Sequence, residues 1–317
     1  MDIREFISLL ERSQRRFHFL GDELTGVVIL LDLEGRLFTV VGKEVVNRVN
    51  PEAFWTPSTA QRFVNPGGDV LWPAPEGSCL GYFYSRGKWG LPASLCQARY
   101  SLISSSQNSC KIAAEIDLIN NSGIGLPTVF ERIVFLEYVS GSVVVKQQET
   151  IRYVGRKPLG NNQFLLAPWT LGQFDSGPGS YASFPEIPEE DIRDFYQPSH
   201  SQRSLTSSGW KVLFDSHQRY QIGLTSKADW IEFFNPEKRL RVRRKAEPLS
   251  SGFHYLDIAD RPAEQSPERF GTRYSIYSDP TGFMEIEAAG GCQKKIQSED
   301  TLSLIVTTIY TCQLDRK

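Results

Sequence analysis

The chain has 317 residues and a formal charge of −2, with 40% apolar and 23% charged residues. That composition supports a folded core and excludes a disordered chain. The near-neutral balance gives no bulk attraction for nucleic acid or an anionic membrane. Five cysteines, an odd number with no Cys-x-x-Cys among them, exclude a zinc ribbon, a thioredoxin-like site and a disulfide framework.

The first residues, "MDIREFISLLERSQRRF", place Ile3, Phe6, Ile7, Leu10 and Phe17 near helical spacing, which predicts a short amphipathic helix packed on the body. The segment lacks the apolar core of about 7–15 residues that a secretory signal needs. No run approaches the roughly 18 apolar residues of a membrane span. The expectation is a cytoplasmic chain with a helical segment over 1–24 and a single β domain over 25–317.

From residue 25 the apolar period is two. Ile112, Ala114, Ile116 and Leu118 alternate with Ala113, Glu115 and Asp117, and Leu302, Leu304, Val306 and Tyr310 repeat the pattern. Such alternation puts one face of a strand on a core. Many similar segments, separated by turn residues and with no fixed repeat, predict a mostly antiparallel sandwich or barrel. Strands are expected at 239–244 and 252–258 among others. The basic run Arg239–Lys245 reads as a strand with a charged solvent face rather than a phosphate-binding patch.

Two long stretches interrupt the strands, 50–98 and 175–203. Segments of that length are often binding loops or lids. The second has one short helix predicted at 188–195. The first contains "GGDVLWPAPEG", which reads either as a glycine–proline corner or as the rim of a ligand site bearing Asp69 and Glu76. Trp72, Trp89 and Trp169 sit in or beside proline-rich connections, with charged and amide residues near. Sugar rings are held in this way: the C–H face stacks on an aromatic ring and the hydroxyls take directional polar partners.

The strand "GFMEIEAAG", Gly282–Gly290, sends Met284, Ile286 and Ala288 one way and Glu285 and Glu287 the other. Two carboxyls ~6.5–7 Å apart on one strand face suit general acid–base chemistry, or are routine surface charges. Among the four histidines, His254 falls in a predicted strand with Leu256 and Ile258, and His200 ends the second long stretch. No spacing indicates a metal site, and phosphate-loop, dinucleotide and nucleophile-elbow motifs do not occur. No metal or cofactor is expected.

In sequence order these motifs resemble the galactose mutarotase-like (aldose 1-epimerase-like) superfamily. "LLDLEGRLFTVVGKEVV" is similar to its paired opening strands, with Glu34, Gly35 and Arg36 at the Gly-Gly-Arg turn. "NPGGDVLWPAPEG" and "APWTLGQF" resemble the Gly-Gly-x-x-x-Trp-x-Ala-Pro-Glu and Pro-Trp-x-x-x-Gln segments of a bacterial branch. "MEIEAAGGCQKKIQSEDTLSLIVTTIY" resembles its C-terminal Glu-x-Glu strand and final long strand. Together they cover most of residues 25–312.

The resemblance implies a large antiparallel β-supersandwich whose concave face binds a sugar or sugar derivative. It implies a C-terminal glutamate, Glu287 or Glu285, as general base in an aldose 1-epimerase-like isomerase. Arg36, Asp69, Trp72, Glu76, Trp89, Trp169 and His200 are the candidate sugar contacts. The Asn-His-x-Tyr-Phe-Asn segment that carries the mutarotase histidine does not occur here, so anomer interconversion would need a replacement acid such as His254 or His200. A non-catalytic carbohydrate-binding or protein-interaction sandwich remains the alternative. Neither nucleic acid nor a membrane is an expected partner, and the oligomeric state is not readable.

Overall fold

The computed structural model describes residues 1–312 except Pro57, Ala60, Gln61 and Ser216. Two antiparallel sheets dominate it. The first runs, in spatial order, through Phe17–Gly21, Thr25–Leu30, Leu37–Val41, Asp69–Ala74, Ala167–Asp175, Phe283–Ala289, Tyr274–Asp279, Tyr220–Leu224 and Ile192–Asp194. The second is centred on the long strands Ser109–Ile119, Gly125–Val139, Ser142–Tyr153 and Thr301–Cys312. The alternation read from Ile112 to Leu118 and from Leu302 to Tyr310 puts those side chains in the core between the sheets.

The N-terminal helix spans Ile3–Arg12 and is closed by a capping box between Asp2 and Glu5. It buries Ile3, Phe6, Leu9 and Leu10 against the outer face of the first sheet, where Phe6 meets Phe38 at 4.8 Å and Phe54 at 5.6 Å. The helical part of the N-terminus is shorter than expected, because Phe17–Gly21 already pairs with Thr25–Leu30. Two other elements also differ. The segment at 188–195 is a 3-10 turn, Glu189–Asp191, followed by the edge strand Ile192–Asp194. The expected strand at 252–258 is reduced to one bridge, in which His254 and Cys292 exchange both backbone hydrogen bonds.

A charged cluster lies between the sheets. Asp69 accepts from Arg132 at 2.8 Å and Gln147 at 2.7 Å, and pairs with Arg244 at 2.8 Å; Arg132 also pairs with Glu149 at 2.7 Å. All of these groups are buried. Gly172 makes room for them, since a Cβ there would sit 2.8 Å from the Arg244 guanidinium. Two expectations are corrected here. Asp69 belongs to the interior and not to a ligand rim. Arg244, within the basic run, points inward, while its neighbours Arg241, Arg243 and Lys245 are exposed.

Candidate functional site

The outer face of the first sheet carries a cavity of about 570 Å³ over its central strands. That is within the ordinary range for small-molecule sites. Its floor comes from strand register. Glu287 stands beside Leu171 on one neighbouring strand and Ser275 on the other, and Glu285 stands between Gln173 and Tyr277. The Phe283–Ala289 strand is buried along its whole length, with Met284 and Ile286 in the core between the sheets and the glutamates under the cavity. The carboxyl face is therefore roofed over and not an ordinary solvent face.

Each of the three glutamates at the cavity is met by a neutral donor. The Trp169 indole Nε1 donates to Glu287 at 3.0 Å, and the Gln221 amide donates to both Glu287 oxygens at 3.2 and 3.3 Å. Gln173 donates to Glu285 at 2.6 Å, and Trp89 Nε1 donates to Glu76 at 2.6 Å. Glu285 and Glu287 also lie within hydrogen-bonding reach of each other. A carboxyl pair so placed must share a proton to bond.

Burial is the largest influence on all three. It pushes Glu285 up to about 7. It pushes Glu287 well above the usual carboxylate range, and the neighbouring Glu285 charge adds to the effect. It pushes Glu76 up to about 8, with further repulsion from Asp260, while the Trp89 hydrogen bond and Arg219 oppose the rise. At neutral pH the floor pair retains a proton and Glu76 is mostly neutral.

Aromatic rings form one wall. Trp72 and Trp169 are cross-strand neighbours with centroids 6.1 Å apart, and Phe63 bridges Trp72 at 5.9 Å and Trp89 at 5.5 Å. Gly67 lets the chain enter this wall. Its φ is +89°, and a Cβ there would fall 1.9 Å from the Arg48 carbonyl oxygen. The opposite side carries Tyr196, Arg219, Tyr277 and Asp279. Arg219 donates to the Tyr277 hydroxyl at 2.9 Å and to the Tyr196 hydroxyl at 2.8 Å, and Tyr277 donates to Asp279 at 2.6 Å.

Of the residues singled out from sequence, Trp72, Glu76, Trp89, Trp169, Glu285 and Glu287 line this cavity. Four others do not. Arg36 is fully buried behind the wall: it pairs with Glu34 at 2.6 Å, and Glu34 in turn accepts from the Trp72 indole at 3.1 Å. Asp69 faces the other sheet. His254 is exposed beside its bridge to Cys292. The His200 side chain is 68% exposed, near Asp194. Neither histidine can act as the acid in this cavity, and among the described residues no histidine lines it.

Sequence reading missed Arg48, Tyr196, Arg219, Gln221, Asp260 and Asp279. Arg219 and Gln221 flank Tyr220 on the way into a strand, so period two puts both on one face; that was the available signal. Among the described residues, no group of three His, Cys, Asp or Glu is placed to hold a metal ion, and no helix is long and apolar enough to cross a membrane.

No protein-family model matches the sequence, and no curated protein matches it. Solved structures do. The Slr1438 protein from Synechocystis sp. PCC 6803 superposes with a TM-score of 0.58 at 12% identity, over 94% of this chain and 96% of that one. A galactose mutarotase-like protein from Lactobacillus casei ATCC 334 gives 0.55 at 11%, over 93% and 100%. A galactose mutarotase related enzyme from Lactobacillus acidophilus gives 0.55 at 11%, over 95% and 99%. Matched along nearly its whole length and built of two packed antiparallel sheets, the chain has the galactose mutarotase-like β-sandwich fold.

Proposed function

We propose that the cavity binds a sugar and interconverts its anomers, with the Glu285–Glu287 pair moving both protons. The observation that carries this reading is the buried pair of carboxyl side chains, Glu285 and Glu287, on the floor of an aromatic-walled cavity. A sugar ring stacks on the tryptophan wall and its hydroxyls meet the polar groups around it.

Ring opening needs a base for the anomeric hydroxyl and an acid for the ring oxygen. Both oxygens are bonded to the same carbon. A pair of adjacent carboxyls holding one proton supplies both functions at once. The ionised member, Glu285, takes the hydroxyl proton as the bond from the anomeric carbon to the ring oxygen breaks. The protonated member, Glu287, gives its proton to the ring oxygen. Rotation about the adjacent carbon–carbon bond and the reverse transfer reclose the ring on the other face. The pair then holds the proton it began with. This division of labour needs no histidine.

The test is the exchange rate between α and β anomers of free hexoses, measured by magnetisation transfer in NMR with and without the protein. The wild type should accelerate exchange for at least one sugar. Glu285→Gln and Glu287→Gln should each remove about 10²–10⁴-fold of that acceleration, the range for a positioned acid–base group. Undiminished exchange in both variants would refute the assignment. Sugar binding without exchange would make the cavity a binding module.

A further inference from the structure

Glu76 takes no part in that proton transfer. Its surroundings point to the kind of sugar the cavity accepts, an inference that rests on the carbohydrate reading above. Five carboxyl residues line the cavity, Glu76, Asp260, Asp279, Glu285 and Glu287, against two arginines. Both arginines are already engaged. Arg219 serves the two tyrosine hydroxyls, and Arg48 pairs with Asp175 at 3.3 Å and lies 4.6 Å over the Phe283 ring.

The Glu76 side chain is an independent pointer. The residue is 5% exposed and lines the cavity. Its Oε1 accepts from Trp89, and no donor reaches its Oε2 among the described residues. Asp260 lines the same cavity, held by the Tyr84 hydroxyl at 2.5 Å. The nearby rings of Trp89, Trp72 and Phe63 complete an acidic and aromatic corner.

We infer that this corner is the subsite for an ammonium group, and that the preferred ligand is an amino sugar. A sugar hydroxyl could meet Glu76 Oε2 with one hydrogen bond but would leave the five carboxyl residues of the cavity without a free counter-charge. A phosphate or carboxylate on the ligand would be repelled by the ionised carboxylates among them. An ammonium supplies the missing positive charge, offers several charge-assisted hydrogen bonds and is attracted by the aromatic faces. The charged and titratable groups facing Glu76 are Asp260 with Tyr84, Arg219 with Tyr196, and Glu285 with its partner Glu287. Burial and the nearby carboxylates hold Glu76 neutral in the empty cavity. Arrival of an ammonium ionises it, so binding releases a proton.

The experiment is titration calorimetry of the full chain with glucosamine, galactosamine and 6-amino-6-deoxyglucose, each against its parent hexose and its N-acetyl form. Two mildly acidic buffers of different ionisation enthalpy are used. At least one amino hexose should bind about tenfold or more tighter than its neutral counterparts, the equivalent of one charge-assisted contact. It should also release a proton. In Glu76→Gln, which keeps an acceptor for the Trp89 indole, and in Asp260→Asn, the preference should fall to about one and proton release should diminish. Equal affinity for charged and neutral hexoses, or a preference that survives both substitutions, would overturn the ammonium subsite and leave the carbohydrate reading standing. If no hexose binds, charged or neutral, both fall.

Discussion

Two clusters of buried carboxyl groups lie on opposite faces of the same strands, and they are solvated in opposite ways. Between the sheets, Asp69 and Glu149 are matched by Arg132 and Arg244, two charges against two. In the cavity, Glu76, Glu285 and Glu287 are matched by indole and amide N–H groups, which carry dipoles and no charge. Asp69–Ala74 serves both clusters, sending Asp69 inward and Trp72 outward. Low accessibility alone therefore does not separate a structural carboxylate from a reactive one. A guanidinium favours the charged form of the carboxylate, although burial still pushes Glu149 upward beside Arg132. A neutral donor orients the carboxyl and leaves its protonation open to ligand and pH.

The largest effect expected from this difference is on folding. Asp69→Ala strips both guanidiniums of a partner and should cost about 3–5 kcal/mol, the usual penalty for orphaning a buried charge. Urea unfolding followed by tryptophan fluorescence measures it. A loss below about 1 kcal/mol would mean that water or repacking replaces the carboxylate, and the contrast between the clusters would weaken.

The same two faces explain what was legible in the sequence. Period-two alternation was enough to put Glu285 and Glu287 opposite Met284 and Ile286, because that rule is local. The aromatic wall was legible from the tryptophans beside prolines. Asp69 was misplaced although the rule was there to use. It lies three residues before Trp72, an odd separation, so in one strand the two side chains must face opposite ways. Arg244 was misread because a run of arginines looks like a solvent face, and only the facing sheet reveals that one of them has a buried acid to meet. Tyr196, Asp260 and Arg48 could not be assigned, since their approach to the glutamates depends on how distant loops close. His254 looked like a strand residue because aromatic and aliphatic neighbours follow it, but the chain there makes a single bridge and leaves its side chain outside.

An effect of up to similar size is expected in the pH dependence of stability. The folded state holds Glu76 protonated up to about 8, whereas the unfolded chain releases that proton in the ordinary carboxyl range. As pH rises between the two values, the unfolded state binds fewer protons than the folded one, so unfolding becomes easier; above the folded value the loss is complete. Glu76→Gln removes this contribution. Its melting temperature relative to wild type should climb steadily from mildly acidic to mildly alkaline pH, by about 1.4 kcal/mol in stability for each pKa unit of displacement. A constant difference across that range would show that Glu76 is ionised in the folded protein.

The smallest effect isolates the neutral donor itself. Trp89→Phe keeps a ring to pack on Phe63 and Phe83 but deletes the N–H that pulls Glu76 downward. The Glu76 titration, followed by carbon NMR and assigned with Glu76→Gln, should move up by about one unit, or 1.4 kcal/mol. The matching change between the sheets is Gln147→Met, which removes the amide donor from Asp69 and leaves both guanidiniums in place. That variant should lose about 1 kcal/mol of stability in urea unfolding, the net worth of one hydrogen bond. A loss of about 3 kcal/mol or more would mean that the amide matters to the buried carboxylate as much as the guanidiniums do. The two clusters would then differ in degree only.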